Sequence, residues 1–397
     1  MQFEAALAAA SPFAAEPALS DDLDFAIRQT VKLGTGASAW RRKQLRTLKK
    51  ICNTAVGINA AFPPGQAATR LGRNVPAGTF DLLRYALQWP DTALPALFST
   101  GAQVIGDLGH IGIYRDAAVH ASVDLAQFQA SNEDWIAQVE AMPRPRGEQS
   151  AVIWKKTAEE LDLGFMSGLF TKAEMDARFG LGKWRPLVRF AVWQEGSQSW
   201  RVIDNGRSAA HNDTVVATER IHTTSTEVGL AMAQRFRKYA NAPLAGGLEL
   251  RSSTSDMWKA FRQIPVCDEH LPYHVVAVYS EKEGVMRYGP LDGMAFGLGA
   301  AVLQFNRVPA FLLALARRFL CIPVVGFYDD YRITDIAEGR GSADATFQEL
   351  LAWLAIRLDP KKHQAPAPLV VFIGSLEDSS CAGVNDEIIL RPKPGRA

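Results

Sequence analysis

The sequence predicts an α+β fold, and three observations carry that prediction. Capped, helix-like segments fill most of the chain up to Gly180, and short strands joined by turns dominate from Trp184 onward. A long apolar stretch, Ala300 to Leu320, lies among the strands and reads as a buried helix. The chain has 397 residues, enough for a substantial core and two or three domains. Its net charge of +1 means that a polyanionic partner must meet a local basic patch. The four cysteines, Cys52, Cys267, Cys321 and Cys381, show no zinc spacing and read as free thiols of a reducing compartment.

Met1 to Leu19 is alanine-rich and lacks the basic start and apolar run of a signal peptide, so it reads as a disordered leader. No charge-free stretch is long enough to span a membrane, which places the protein inside the cell, in cytoplasm or nucleus, with no membrane partner. Ser20 is set to cap a helix with Asp21, Asp22 and Asp24 in its first turn, ended by Gly34. Ser38 opens a second helix whose Trp40–Lys50 segment is basic without an acid: a solvated face or a phosphate contact. Further helices are expected over Thr79–Gln88 and Asn132–Met142, with a loop-rich stretch from Gly101 to Ala118. Pro143-Arg144-Pro145-Arg146-Gly147 reads as a linker and closes a helical N-terminal region, 20–147. Thr157-x-x-Glu160 and Thr171-x-x-Glu174 each have the form of a capping box opening a short helix.

Leu187–Trp193 and Ser199–Asp204 form the arms of a hairpin with a local excess of arginine. A helix over Ser225–Tyr239 ends this second region, 148–245. The third region, 246–376, holds the strand Leu248–Asp256 and a helical turn from Met257 to Ile264 stopped by Pro265. A hairpin, His274–Ser280 with Val285–Tyr288, and a glycine-punctuated loop, Gly293–Gly299, lead into the apolar helix, which Pro309 should kink. Val324–Ile333 is strand, turn and strand with Asp329-Asp330 at the turn. Ser342 caps a helix running to Leu358, Asp359–Lys362 is a turn, and Leu369–Gly374 a strand. The tail, 377–397, has too little apolar content for a domain of its own.

Three acids thus stand at strand ends: Asp256, Asp329 and Asp330. A turn favours Asp, so the pair fits a surface hairpin as well as a metal site. Like charges beside apolar strands are costly unless a cation faces them, and clustered carboxylates suit a hard divalent ion.

In order along the chain, these motifs resemble the reverse transcriptase family. Asp256-Met257-Trp258-Lys259-Ala260-Phe261 with Ile264-Pro265 is similar to its first palm motif. Gly293–Leu298 followed by Phe305 and Arg307 is similar to the second, and Phe327-Tyr328-Asp329-Asp330 to its aromatic-x-Asp-Asp box. Leu358–His363 resembles the lysine turn, Phe372-Ile373-Gly374 the primer grip, and Trp200–Arg207 with Asn212 the fingers signature. The pattern of Thr157, Glu160, Gly164 and Arg189-Phe190 is similar to reverse-transcriptase domains of mobile elements in protists.

The resemblance implies a palm of antiparallel sheet and packed helices, with fingers, behind the helical N-terminal region. It implies an RNA-directed DNA polymerase that extends a primer on an RNA or DNA template with deoxynucleoside triphosphates. Two Mg²⁺ ions, or Mn²⁺, would sit on Asp256, Asp329 and Asp330. Lys362, or its neighbour Lys361, would act as general acid. Lys183 and Arg201 would meet the triphosphate, Phe261 would exclude a 2′-hydroxyl, and Gly297 and Phe327 would line the substrate. Ala295, Asn205 and Tyr328 depart from the family pattern without removing a metal ligand. The short tail implies a missing thumb and a fragment of a longer element protein. The alternative is a palm that has lost catalysis and binds nucleic acid or protein.

Overall fold

A computed structural model of the chain describes residues 19–54, 56–240, 248–380 and 388–393. The expected leader, Cys381 and the middle of the tail lie outside these residues. The fold is α+β, with antiparallel and mixed sheets and packed helices.

Eight of the thirteen strands among the described residues form two four-stranded sheets. The central sheet contains β5 (Leu250–Asp256), β8 (Val324–Phe327), β9 (Asp330–Ile336) and β10 (Gln364–Ala367), in the antiparallel order β10-β5-β9-β8. The second contains β2 (Pro186–Gln194), β3 (Ser199–Asn205), β6 (Val275–Ser280) and β7 (Val285–Pro290), in the order β3-β2-β6-β7. Its β2–β6 pair is parallel and β3 is an edge strand. β1 (Arg115–Val119) pairs with β4 (Ala217–Arg220). β11 (Leu369–Phe372), β12 (Ser375–Asp378) and β13 (Ile389–Pro392) make a separate antiparallel meander, so described parts of the tail are strand.

Alternation along β9 sends side chains to two cores. Tyr331 and Ile333 join the main one, which extends in sequence from Leu45 to Ile356. Ile336 on the other face packs with Leu23 and Ile27 of α1 (Asp21–Leu33). α2 (Ala37–Asn53), α3 (Gln66–Arg70), α4 (Ala77–Leu87), α5 (Leu94–Ser99), α6 (Leu125–Ala130) and α7 (Asn132–Ala141) precede the Pro143–Gly147 segment. The main core packs continuously on both sides of that segment. Trp135 of α7, for example, donates its indole N–H to Pro186 O at 2.8 Å.

The later helices are α8 (Gly147–Asp162), α9 (Lys172–Phe179), α10 (Val228–Ala240), α11 (Gly299–Leu320) and α12 (Ser342–Trp353). α11 runs on through Pro309. It is long and apolar enough to cross a membrane, but 78% of its most apolar window is buried, as a core helix requires.

Several local expectations change. Thr157 and Glu160 lie inside α8, not at its start: the Thr157 hydroxyl bonds back to Ile153 O, and Glu160 is buried against arginines. Thr171 and Glu174 do form the capping box of α9. Ser20 occupies the N-cap position of α1, but its hydroxyl donates to Asp22. Gly341, at φ +70°, precedes α12, and the Ser342 hydroxyl accepts from Arg41 instead of capping; the helix stops at Trp353. The turn after Asp256 is only a short 3₁₀ segment, Ala260–Gln263. The basic α2 is not simply a solvated face: Arg41 is fully buried, with its guanidinium 2.6 Å from Asp335, and Lys49 pairs with Glu349.

Candidate functional site

Strand order brings the acids together. β5 runs into Asp256, β9 starts at Asp330, and the two residues are register partners in the central sheet. Asp329 sits in the tight turn before β9, where Tyr328 takes φ +56° and Asp329 O accepts from Met257 N at 3.0 Å. The Asp359 N–H binds Asp256 O at 2.8 Å, so the lysine turn folds against the same strand end. Lys362 Nζ then donates to Asp256 Oδ2 at 2.7 Å.

The charges strain against one another. Burial raises the Asp329 carboxyl above its ordinary value, and the Asp256 charge adds to it. Asp330 is pushed up to about 7 by burial, by its hydrogen bond with Asp256, and by the neighbouring carboxylates. Burial works against the Lys362 ammonium, but the hydrogen bond and charge of Asp256 outweigh it and raise its pKa. Among the described residues, no three acidic, histidine or cysteine side chains are placed to hold an ion by themselves. The donors are carboxylate oxygens, which suits Mg²⁺ where one or two carboxylates and the substrate's phosphates complete the shell.

The acids separate two cavities. The first, of about 540 Å³, is lined by Asp329, Tyr328, Arg201, Phe261 and Phe296, with Lys156 and Lys259. Phe261 is half-buried; it stacks on Phe305 with centroids 4.6 Å apart and meets Phe296 edge-on. The Arg201 guanidinium lies 4.6 Å above the Phe296 ring. The second cavity, of about 570 Å³, is lined by Asp256, Asp330, Lys362, Phe372 and Gly374, with Gly196 and Lys393.

A buried ionic network forms one wall of the first cavity. Arg189 of β2 lies 2.7 Å from both Glu160 of α8 and Asp204 of β3. Arg262 contacts the same two acids at 2.9 and 3.1 Å. Burial alone would raise the Asp204 carboxyl, but the two guanidiniums hold it well below the usual carboxylate range. Every group in the set is thus paired, as buried charge requires.

Not every residue expected at the site arrives there. Asp256, Asp329, Asp330, Lys362, Arg201 and Phe261 do. Lys183 is exposed in the turn before β2 and lines neither cavity; the lysines of the first cavity are Lys156 and Lys259. Phe327 packs against the second core and meets Tyr328 edge-on. Gly297, at φ +109°, approaches protein rather than an open substrate face: a Cβ there would lie 2.3 Å from Asp204 O. Sequence reasoning missed Lys156 and Lys259, and read Glu160 as a cap. The available signal was the i,i+4 spacing of Lys156 and Glu160 on one helix face.

The chain matches no known protein-family model, and its sequence matches no curated protein.

Proposed function

We propose that the chain is an RNA-directed DNA polymerase of reverse-transcriptase type, the central sheet serving as palm and the β2–β3 hairpin as fingers. The observation that carries this reading is the pairing of Asp256 with Asp330 between two cavities, with Phe261 and Arg201 in one of them. A deoxynucleoside triphosphate fits the first cavity, its sugar against Phe261 and its phosphates toward Arg201. Arg201, braced on Phe296, suits bidentate phosphate contact. The primer terminus fits the second cavity, beside the Phe372–Gly374 turn.

Asp256, Asp329 and, in support, Asp330 would hold Mg²⁺ or Mn²⁺, which when bound neutralise phosphate charge and favour the ionised 3′-hydroxyl. The two reactants would be aligned by occupying the cavities that share this cluster of acids, Asp329 in one and Asp256 with Asp330 in the other. Lys362 lines the second cavity and bonds Asp256, whereas Arg201 lines the first. That position suits it to neutralising the acids more than to protonating a phosphate held by Arg201.

Primer extension on RNA and DNA templates with Mg²⁺ or Mn²⁺ tests the proposal. The wild type should extend, and Asp329→Asn should lose at least about 100-fold in rate, as expected when an electrostatic group of the transition state is removed. Extension in neither metal, or full activity in Asp329→Asn, would sink it.

A further inference from the structure

The first cavity holds more positive charge than Arg201 alone supplies. Five basic residues, Lys156, Arg189, Arg201, Lys259 and Arg262, line it with three acids, Glu160, Asp204 and Asp329. Arg189 and Arg262 are committed to Glu160 and Asp204 through close, buried contacts. The two lysines are held differently. Lys259 Nζ donates to Glu159, and Lys156 Nζ stands 3.6 Å from the same carboxylate. Lys156 also stands 3.8 Å from Glu160, at the limit of an ion pair. The Glu159 side chain is 46% exposed, and partly exposed pairs of this kind bind weakly. Lys259 adopts φ +48°, a backbone conformation uncommon for a side chain of its type. Such backbone is tolerated where it positions a working group.

We infer that Lys156 and Lys259 bind the phosphate chain of the substrate, and that Glu159 is a surrogate anion which the phosphates displace. The inference rests on the reading of the first cavity as the triphosphate site, and it assigns to these two lysines the contact that the sequence assigned to Lys183. A triphosphate carries more charge than one carboxylate and presents oxygens to both ammonium groups and to Arg201 together. Glu159 then swings to solvent, which its exposure permits. It acts as a brake on phosphate binding, so its removal has the opposite sign from removal of either lysine. A merely structural Glu159 would not give that result.

Inorganic tripolyphosphate, titrated by calorimetry into the full chain without primer, is the probe. The wild type should bind it. Lys156→Gln and Lys259→Gln should each weaken binding about tenfold, the worth of one charge-assisted hydrogen bond, and Glu159→Gln should tighten it by a similar factor. Lys156→Arg and Lys259→Arg, which keep the charge, should retain binding, and thermal melts confirm that each variant is folded. No binding by the wild type, unchanged affinity in folded glutamine variants, or weaker binding in Glu159→Gln would overturn the inference. Tripolyphosphate binding that follows these three residues without any primer extension would keep the site and remove the polymerase reading. Extension with a nucleotide KM indifferent to both lysines would do the reverse.

Discussion

Two side chains near the first cavity lend themselves to single substitutions. Phe261 is stacked on Phe305 and meets Phe296 edge-on, so its ring has little freedom to yield to a bulkier sugar. Phe261→Ala should admit ribonucleotides in an extension assay, and unchanged sugar discrimination would remove Phe261 as a gate. His274 is hydrogen-bonded to the loop behind it. Its Nδ1 bonds Leu291 O and its Nε2 accepts from Ala295 N, each at 2.8 Å, an arrangement that requires a neutral ring. Burial lowers the pKa to about 4 for His274 and to about 3 for His211. Below the unfolded value near 6.5 the unfolded chain binds protons that the native chain refuses, so stability falls as pH falls. The slope should be about 1.4 kcal/mol per pH unit for each histidine between roughly pH 6 and 4. Urea unfolding at stepped pH measures it, and His274→Gln should shed about half of this histidine contribution. The convergence of the three acids, Phe261 and Arg201 on these cavities was legible from the sequence, because motif order puts them on strand ends and turns. Lys183 lies outside both cavities, and its position depends on how the chain passes from α9 to β2, which the sequence does not show.

At the scale of elements, α8 does the work that the sequence obscured. A Thr-x-x-Glu pattern marks a helix start only when both side chains face free backbone. Here Gly147 starts the helix, and the same two residues face β2 and β3. Glu160 fastens the helix to the sheet and to the 3₁₀ turn after Asp256 in one contact set. Glu160→Ala leaves two buried guanidiniums short of a partner and should cost about 3–5 kcal/mol, whereas Glu160→Gln, which keeps some hydrogen bonding, should cost less. Chemical denaturation distinguishes them; equal and negligible losses would show that the network does not hold α8 in place. The basic α2 keeps Arg42, Lys43, Arg46 and Lys50 exposed, as a solvated face would, with Arg41 as the exception. Charge runs in a sequence do not say which residue turns inward, and Arg41 turns toward Asp335.

For the whole molecule, the α+β class and most elements followed from periodicity and turns, while the way the N-terminal helices pack did not. A proline-rich segment looks like a boundary, yet Phe80 of α4 packs 5.7 Å from Phe311 of α11 across it. A core shared in this way predicts one cooperative unfolding transition with coincident probes, instead of two. Calorimetry with two resolved peaks would show that residues on either side of Pro143–Gly147 melt separately. The network of Glu160, Arg189, Asp204 and Arg262 bears on ancestry as well as on stability. An Asp pair in a turn arises readily on many unrelated surfaces, but four interlocked buried charges from separate parts of a chain do not. Loss of any one leaves the others uncompensated, so a lineage passes them on together or replaces them together. Distant kin of this chain should therefore be recognisable by joint inheritance of this quartet, even where the motifs around it have drifted beyond detection.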